Sequence, residues 1–493
     1  MNSKTKFSES FLYDVWKNHT FNGSLKTADG DPIAILDKGL HNTDEAGPDF
    51  KNVRLRIGNL TFVGDIEIDR HYYDWKNHGH NIDNKYNSVI LHIFLVNNAS
   101  NGYVYSRNGR RIPSICIGKY VDLSQVDEDQ SFEKPSKPNP ASKLKCSGIC
   151  VNIDDVFKYK TLSNLGAERF NKKVKRMFNR LKEIKYFNEL GIKEPVISYD
   201  LSDDFHNKKF KHSDFQSREI WMQLLYELVF EALGYTHNKL QMSELARAVN
   251  IEFLKKIEND GNVVEKFETA LLNISGLMQT IHSVTDEDTK QYIERTALLW
   301  NSIRPLYDNK YFDETIWHFY RIRPQNFPTI RIAGGARFLN SLIHGGLINV
   351  LSKKIKEIND PKMLISCLRS LFVINIEGFW KNHYILDQKA NTEIKFFVGV
   401  SRADEIIINV LLPFFALYFE VFKNQKLVRQ VQSVYAAFQQ RTDNKIISEV
   451  SEAINLLDCN NQAIITQGMI ELFRSYCSRN RCLECEIGKR VFN

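Results

Sequence analysis

The segment GPDFKNVRLRIGNLTFVGDIEID, residues 47–69, contains two short runs that are rich in Val, Ile, Leu and Phe, at Val53–Ile57 and Leu60–Ile68. The Gly-Asn pair between them is typical of a turn, and short apolar runs bounded by turn residues are typical of β-strands. The segment therefore predicts two neighbouring antiparallel strands, and the first part of the chain is interpreted around them.

The flanking residues extend this pattern into an α/β module. Phe7–Asn18 has the apolar spacing of a helix, and Arg70–Asn87 is polar and aromatic, as expected for a loop or a short helix. Further runs with the composition of strands lie at Pro32–Leu36, Ser88–Val96, Tyr103–Ser106 and Ile112–Ile117. Residues 1–121 are therefore predicted to form one domain with a mixed sheet.

The rest of the chain has a different pattern. Asp122–Lys145 is polar and rich in proline, which predicts a linker. Beyond it, apolar residues recur every three or four positions, so residues 146–493 are predicted to be mostly α-helical, as one region or as two subdomains. The most apolar run, Ile406–Phe422, contains Asn409 and Glu420, which are costly in lipid and favour a buried helix over a membrane span.

Composition places the chain among folded globular proteins. Hydrophobic residues make up 43% and charged residues 25% of 493 residues, a length that suggests two to four domains. The net charge of +7 is compatible with nucleic-acid binding but is also common without it. The first residues lack the apolar stretch of a secretory signal, which favours the reducing cytoplasm, where the eight cysteines would be thiols or metal ligands.

Acidic and histidine side chains are concentrated around the predicted strands. Five of the thirteen histidines fall between His41 and His92. Glu67 and Asp69 are two residues apart on one strand and so point to the same face, and Asp49 opens the preceding strand. Converging carboxylates of this kind hold Mg²⁺ or Mn²⁺, which can activate water for phosphodiester hydrolysis. The candidate catalytic residues are His41, Asp49, Glu67, Asp69, His78 and His80, and the candidate ligands of Mg²⁺ or Mn²⁺ are Asp49 and Glu67.

Two other interpretations of these residues stay open. His78 and His80, together with Asp83, have the side-chain types that bind zinc or manganese. Alternatively, the acids lie on a solvated strand face, and the histidines belong to a polar loop above packed aromatic residues.

The elements around these acids follow the order helix, strand, Pro48-Asp49, strand, Glu67-Ile68-Asp69, polar segment, strand. Over about the first hundred residues this order resembles the PD-(D/E)XK nuclease superfamily. The resemblance implies a restriction-endonuclease-like fold with Asp49 and Glu67 as ligands of a catalytic cation. Asp69 occupies the position of the lysine that orients the attacking water and stabilises charge in those nucleases. This departure leaves open a third metal-binding carboxylate, a histidine as general base, or a degenerate site.

A second set of short phrases is spread over nearly the whole chain. They are Gly47-Pro-Asp-Phe50, Gly64-Asp-Ile-Glu67, Asp74-Trp75, His78-Gly-His80, Val89-Ile-Leu-His92, Arg323-Pro-Gln-Asn-Phe-Pro328, Gln467-Gly468 and Cys482-Leu-Glu-Cys485. Together they resemble one uncharacterised bacterial family, domain-of-unknown-function family 2851. This resemblance names relatives and implies no reaction.

The cysteines near the C-terminus have the spacing of metal ligands. Cys477, Cys482 and Cys485 lie within nine residues, and Cys146 and Cys150 follow the predicted linker. Three thiolates with one more from elsewhere would complete a four-cysteine site for zinc or an iron–sulfur cluster, and the spacing does not choose between them. Reduced thiols without a metal are the alternative.

Two groups of basic residues are candidate nucleic-acid contacts. The first lies on one predicted helix and the second flanks a proline-containing segment; the residues are Lys172, Lys173, Arg176 and Arg180, and Arg323 and Arg331. Such side chains neutralise phosphates. A solvated helix face and pairing with acids of the core are the alternatives.

These residues predict a metal-dependent nuclease or phosphodiesterase that acts on DNA or RNA, with the helical region holding substrate or partner. The alternative is a non-catalytic nucleic-acid-binding or scaffold protein with a degenerate nuclease-like fold. The sequence has no Walker loop, Rossmann glycine fingerprint or Gly-x-Ser-x-Gly elbow, so NTP-driven and serine-hydrolase chemistry lack support. No membrane partner is expected.

Overall fold

The computed structural model describes residues 9–19, 21–42, 47–96, 102–121, 144–194, 205, 207–279, 284–319, 322–440, 444–456 and 461–492. The chain divides into two compact units. We term residues 1–138 with 317–323 the N-terminal unit, and residues 139–316 with 324–493 the helical unit. Most of the predicted linker, residues 122–143, lies outside the described residues.

The N-terminal unit is built on a sheet of seven strands. Helix α1 (Glu9–Asn18) precedes β1 (Ile33–Asp37), β2 (Leu40–His41), β3 (Phe50–Ile57) and β4 (Leu60–His71). Helix α2 (Asp74–Asn77) and a 3₁₀ turn (Asn84–Ser88) separate β4 from β5 (Val89–Val96), β6 (Tyr103–Tyr105) and β7 (Arg111–Cys116).

The sheet is mixed, as the sequence predicts. Its strand order is β1-β3-β4-β5-β7-β6, and β2 pairs with β3 outside this path. β3 pairs antiparallel with β1 and with β4, whereas β4, β5 and β7 run parallel to one another. A parallel pair needs a crossover connection, and residues 72–88 supply it between β4 and β5. We term these residues the crossover segment.

The two faces of the sheet are buried against different partners. On one face, Ile66 and Ile68 of β4 pack with Trp16 of α1 in a common apolar core. On the other face, Trp75 and Tyr86 of the crossover segment belong to a second apolar cluster. The indole N–H of Trp75 donates to a backbone carbonyl of β6 at 2.9 Å, which fixes the crossover segment over the sheet.

The helical unit contains the following described elements. The helices are α3 (Asp155–Leu190), α4 (Arg218–Leu233), α5 (Lys239–Ala248), α6 (Ile251–Lys256), α7 (Val263–Ile274), α8 (Glu287–Ile303), α9 (Pro328–Ile343), α10 (Leu347–Glu357), α11 (Pro361–Phe372), α12 (Val400–Ile406), α13 (Leu412–Val421), α14 (Gln425–Ala437), α15 (Lys445–Ala453), α16 (Ala463–Ser475) and α17 (Glu486–Phe492). The short strands are β8 (Ile374–Asn375), β9 (His383–Ile385), β10 (Gln388–Lys389) and β11 (Phe396–Val398), which pair β8 with β11 and β9 with β10. The prediction of a mostly helical region after the sheet is confirmed.

Helices α3 and α16 approach closely because glycine lies at their contact. A Cβ atom on Gly468 would lie 2.0 Å from a carbonyl oxygen of α3, and a Cβ on Gly166 would lie 2.0 Å from the carbonyl oxygen of Ile464. Any larger residue would push the two backbones apart. The close approach sets side chains of α3 directly against side chains of α16.

The most apolar run of the chain is helical and buried. A π-helical turn, Ile407–Leu411, joins α12 to α13, and nearly all of its apolar side chains are buried. Pro413 has no N–H to donate to the carbonyl of Asn409, four residues earlier, and the π turn occurs at this position. Among the described residues, no helix is both long enough and apolar enough to cross a membrane.

Candidate metal centre

The candidate site lies on the sheet face that the crossover segment covers. Glu67 of β4 is in register with His92 of β5, and His92 is in register with Ser114 of β7. Residues in register on parallel strands point to the same face, and Asp69 follows Glu67 by two positions on that face. The three strands therefore present carboxylates and an imidazole side by side.

Asp49 joins this group from the start of β3. The Asp49 N–H donates to Glu67 Oε2 at 3.1 Å, and Asp49 Oδ2 accepts from the Ile68 N–H at 2.9 Å. Asp49 Oδ1 accepts from the Tyr13 hydroxyl at 3.0 Å. A β-bulge between Phe50 and Val53 interrupts the ladder here, and bulges commonly re-aim side chains beside functional sites.

Histidines converge on Asp69 from two directions. His78 Nδ1 lies 3.1 Å from Asp69 Oδ1, and His80 Nε2 lies 3.6 Å from the same oxygen and 3.1 Å from Glu67 Oε1. His92 Nε2 lies 3.2 Å from Asp69 Oδ2, and its Nδ1 lies 3.3 Å from the Ser114 hydroxyl. The two oxygens of Asp69 therefore have different roles, because one faces the crossover segment and the other is held by β5.

Most of this cluster is shielded from water. Asp49, Glu67, Asp69, His80 and His92 are at most 4% exposed. The side chain of His78, in contrast, is 39% exposed. Access from solvent is therefore on the His78 side.

Burial and proximity perturb the ionisation of the cluster. Burial and the nearby Asp49 carboxylate raise the pKa of Glu67 to about 8. Burial lowers the pKa of His80, but the carboxylates of Glu67 and Asp69 outweigh it and raise this pKa to about 10. Burial acts to raise the pKa of Asp69, but hydrogen bonds with His78, His80 and His92 hold it well below its usual range. Asp69 is therefore an anion at neutral pH, and a cation bound there would displace the proton of His80.

Asp69, His78 and His80 have the geometry of a metal-ligand set. Each offers one ligand atom, and these atoms all lie within 4.8 Å of one another. Ligand atoms bound at about 2.1 Å in tetrahedral or octahedral geometry lie about 3.0–3.5 Å apart, close to the 3.1 and 3.6 Å separations from Asp69 Oδ1. Two imidazoles and one carboxylate suit zinc, manganese or iron. His92 binds the second oxygen of Asp69 and so orients the carboxylate from behind.

Other predicted residues lie near this set but have different contacts. Asp83 does not join His78 and His80 in that set, because its carboxylate accepts from the Lys85 N–H at 2.9 Å and caps the 3₁₀ turn. The ring of His41 lies 4.9 Å from the ring of Phe50, beside the site rather than in the ligand set.

Comparison with known proteins matches the chain to one family. Residues 9–190 and 206–445 match a family model described as "Protein of unknown function (DUF2851)", which is most of the chain. The chain belongs to this family. The predicted membership of DUF2851 is confirmed, and the whole metal-ligand set lies in the first matched segment. Among curated proteins and among solved structures, no match was found.

Two side chains of the DUF2851 site have contacts that the sequence interpretation did not assign. Tyr13 binds Asp49 from α1, and His92 binds Asp69 from β5. The position of His92 within a predicted strand was a usable signal, because a strand parallel to β4 brings it opposite Glu67. Tyr13 had no comparable signal, since a tyrosine in an amphipathic helix is most simply a packing residue.

The predicted cysteines lie in one region of the helical unit. Cys146, Cys477, Cys482 and Cys485 line a single small pocket, and Cys150 belongs to the same apolar cluster. In the described part of the chain, no three of these sulfurs lie within 4.8 Å of one another. Burial raises the pKa of Cys477 to about 12. The residue types suit a metal ion bound by cysteine thiolates. The sulfurs would have to move closer together to bind one ion.

The predicted basic residues fall into three environments. Lys172, Lys173 and Arg176 line a cavity of the helical unit. Arg180 makes ion pairs at 2.7 Å with Glu227 and at 2.6 and 2.9 Å with two further glutamates. Arg331 is 5% exposed and donates to Tyr235 and Asn326, each at 2.7 Å, as well as to a backbone carbonyl of β11, whereas Arg323 is exposed.

A second group of ligand-type residues lies in the helical unit. Asp286, Asp288 and His383 offer atoms within 4.8 Å of one another. Asp286 caps α8 through the Thr289 N–H, and Lys389 pairs with both aspartates. The charges of this group are therefore already compensated by the fold.

Proposed function

We propose that the N-terminal unit is a metal-dependent hydrolase of phosphodiester bonds in nucleic acid, with a divalent cation bound by Asp69, His78 and His80. The observation that carries the proposal is that the two carboxylate oxygens of Asp69 have different histidine partners. His92 holds one carboxylate oxygen from the buried side, while the other oxygen faces His78 and His80 at 3.1 and 3.6 Å. A carboxylate oriented in this way resembles a ligand held by an outer partner.

Burial of several carboxylates together supports a cation. Glu67 and Asp69 are each 1% exposed, and within the described residues their paired side chains are histidines rather than lysine or arginine. Buried carboxylates without such partners are costly unless they are protonated or bind a metal. A bound divalent cation would supply a water of lowered pKa and would stabilise the charge that develops on a phosphoryl group.

The remaining side chains have roles that follow from their contacts. Glu67 Oε1 lies 3.1 Å from His80 Nε2, so Glu67 is placed to hold or accept a proton beside the cation. Asp49 and Tyr13 position Glu67, because the Asp49 N–H donates to Glu67 Oε2 and the Tyr13 hydroxyl donates to Asp49. His78, the exposed member, faces the side from which substrate would enter.

The nucleic-acid substrate is proposed on the resemblance to PD-(D/E)XK nucleases and on the sheet order. An antiparallel β1-β3-β4 set followed by the parallel β5 is compatible with that resemblance, and Asp49, immediately before β3, is hydrogen-bonded to Glu67 of β4. Asp69 replaces the lysine of those nucleases. In this chain, the positive charge next to the reacting group would come from the cation, because His78 and His80 bind it as neutral imidazoles.

The depth of the site favours one second candidate. Structural metal sites are closed, whereas catalytic sites keep an open position, and most of this cluster is at most 4% exposed. The alternative is therefore a non-catalytic nucleic-acid-binding or scaffold protein in which the same cation stabilises the fold.

Cleavage assays separate the two candidates. The full chain, loaded in turn with Mg²⁺, Mn²⁺ and Zn²⁺, is incubated with single- and double-stranded DNA and RNA, beside Asp69→Asn, Glu67→Gln and the control Asp83→Asn. The hydrolase proposal expects cleavage that both site variants lose and the control keeps. Metal content by mass spectrometry is measured in parallel. A wild-type protein that binds the cation through Asp69 but cleaves none of the substrates would support the scaffold, and cleavage unchanged in both site variants would exclude this site.

A further inference from the structure

A cavity of about 410 Å³ lies in the helical unit, far along the chain from the metal centre. Its walls come from α3, α16 and the π turn, with Arg169, Lys173, Asn409, Gln467 and Arg474 among the lining residues. A volume of this size is within the range of small-molecule sites, about 300–1,000 Å³. Gly166 and Gly468 let the backbones of α3 and α16, which both contribute lining residues, approach closely.

Lys173 is the unusual side chain of this cavity. Its ammonium group donates to Asn409 Oδ1 at 2.5 Å and to Gln467 Oε1 at 2.8 Å, and both acceptors are uncharged amides. Within the described residues it has no ion pair with a carboxylate. Burial, with Arg169 close by, lowers the pKa of Lys173 well below its usual range. The fold therefore holds this amine in place without a carboxylate partner, and an anion in the cavity would favour its protonated form.

Several other enclosed cations of the same unit are paired with acids, whereas Arg331 is held by uncharged groups. Lys158 lies 2.8 Å from Asp155, Lys266 lies 2.7 Å from an aspartate, and Arg180 is surrounded by three glutamates. Burying a charge without a partner is costly, and Lys173, unlike Arg331, lines a cavity in which an anion from outside could pair with it.

The acid closest to Lys173 in this network is held by other groups. The carboxylate of Glu405 accepts from Asn409 Nδ2 at 2.7 Å and from Gln440 Nε2 at 2.9 Å. Because Asn409 donates to Glu405, its carbonyl oxygen points to Lys173. Asn409 lies in the π turn, and such turns are frequent at functional sites.

The side chains that line the cavity carry a net positive charge. Six basic and three acidic side chains line it. Glu231 pairs with Arg176 and with Lys239, and Glu471 pairs with Lys172, so these acids are already engaged. Within the described residues, Arg474 at the cavity has no ion pair. An excess of about three positive charges matches a multiply charged anion better than a single carboxylate.

We propose that this cavity binds a phosphate-bearing ligand of nucleotide size, with Lys173, Arg169 and Arg474 contacting the phosphate and the amides of Gln467 and Asn444 contacting its polar organic part. The proposal is independent of the proposed hydrolase activity, since none of these residues belongs to the metal centre. The phosphate group has two possible sources, a free nucleotide and the 5′ end of a nucleic-acid strand.

The test is calorimetric titration of the full chain with AMP, ATP, inorganic phosphate, succinate, and a short oligonucleotide with either a 5′-phosphate or a 5′-hydroxyl. The variants are Lys173→Met and Arg474→Gln, and the control is Lys175→Met, an exposed lysine of α3 that does not line the cavity. We expect a phosphate-bearing probe to bind and Lys173→Met to weaken it about tenfold or more, with Arg474→Gln weakened and Lys175→Met unchanged.

Each outcome either supports the proposal or contradicts it. Binding of AMP or ATP identifies a free nucleotide as the source, and binding of the 5′-phosphorylated strand alone identifies a strand end. Lys173→Met is also expected to melt at or above the wild-type temperature without ligand, because it removes an enclosed amine that has no carboxylate partner. Failure of every phosphate-bearing probe to bind, succinate binding as tightly as AMP, or undiminished affinity in both cavity variants would overturn the proposal. If Lys173→Met does not fold, Arg474→Gln and its control carry the test.

Discussion

Asp69→Asn is expected to abolish the stabilisation of the N-terminal unit by a divalent cation. Asp69 offers one of three ligand atoms and contacts three histidines. Loss of a partner behind a ligand typically weakens metal binding 10- to 100-fold, so loss of the ligand itself is taken as about 100-fold. A cation at about 100 times its dissociation constant stabilises the wild type by about 2.7 kcal/mol. The same concentration would stabilise the variant by about 0.4 kcal/mol.

This difference of about 2.3 kcal/mol corresponds to a melting-temperature difference of about 9 °C for a unit of this size. The assay is thermal unfolding of chelator-treated protein, with and without added Zn²⁺ or Mn²⁺, and the measured quantity is the shift that the cation causes. Asp83→Asn is the matched control, because Asp83 lies in the same crossover segment but caps a 3₁₀ turn. An undiminished shift in Asp69→Asn, or an equal loss in Asp83→Asn, would refute the ligand assignment.

Three further predictions concern the helical unit. Glu227→Gln breaks the buried pair with Arg180 and should lower the free energy of unfolding by about 3 kcal/mol in urea denaturation. Burial acts to raise the pKa of Glu227, but Arg180 outweighs it and holds this pKa below its ordinary value, so the contribution of the pair is complete above about pH 4.5 and is lost at more acidic pH. A stability difference between the wild type and Glu227→Gln that stays constant as the pH falls would contradict this. Cys482→Ser should lower the zinc or iron bound by purified protein, and an unchanged metal content by mass spectrometry would rule out the cysteine site. Gly468→Ala should destabilise the unit by about 1–3 kcal/mol because its Cβ would meet a backbone carbonyl of α3, whereas Gly399→Ala, with open space around it, should melt like the wild type; equal melting of both would mean that the helices can separate freely.

The fold class was predictable because it depends on local patterns. Short apolar runs and turn residues predict the strands of the N-terminal unit, and the spacing of apolar residues predicts the helices after it. The strand that carries Glu67 runs on to His71, three residues beyond its predicted end at Ile68. Asp69 therefore lies inside the strand. The strand ends where its pairing with β5 ends, and the local composition does not show this position.

The partners within the site were less predictable, since they depend on contacts between distant residues. The sequence interpretation grouped Glu67, Asp69, His78 and His80 by their density, and they lie together. It could not show that His80 faces Glu67 rather than Asp83, because that depends on the burial of Trp75, which fixes the path of the crossover segment. The basic residues of α3 raise the same difficulty, because Lys172 and Lys173 contact residues 236 to 299 positions away, and Arg176 and Arg180 pair with glutamates of α4 that are 55 and 47 positions away.

Asp69 shows how one unexpected residue determines the chemistry around it. A lysine at this position would place a positive charge beside Glu67, and three histidines converging on it would then be repelled. With aspartate there, each histidine instead has a carboxylate oxygen within 3.1–3.6 Å. His92 is available because β5 runs parallel to β4, and His78 and His80 are available because the crossover segment folds back over the sheet. The negative charge at Asp69 and the three histidines are therefore parts of one arrangement, which favours a cation bound at this point over a site that has simply lost its lysine.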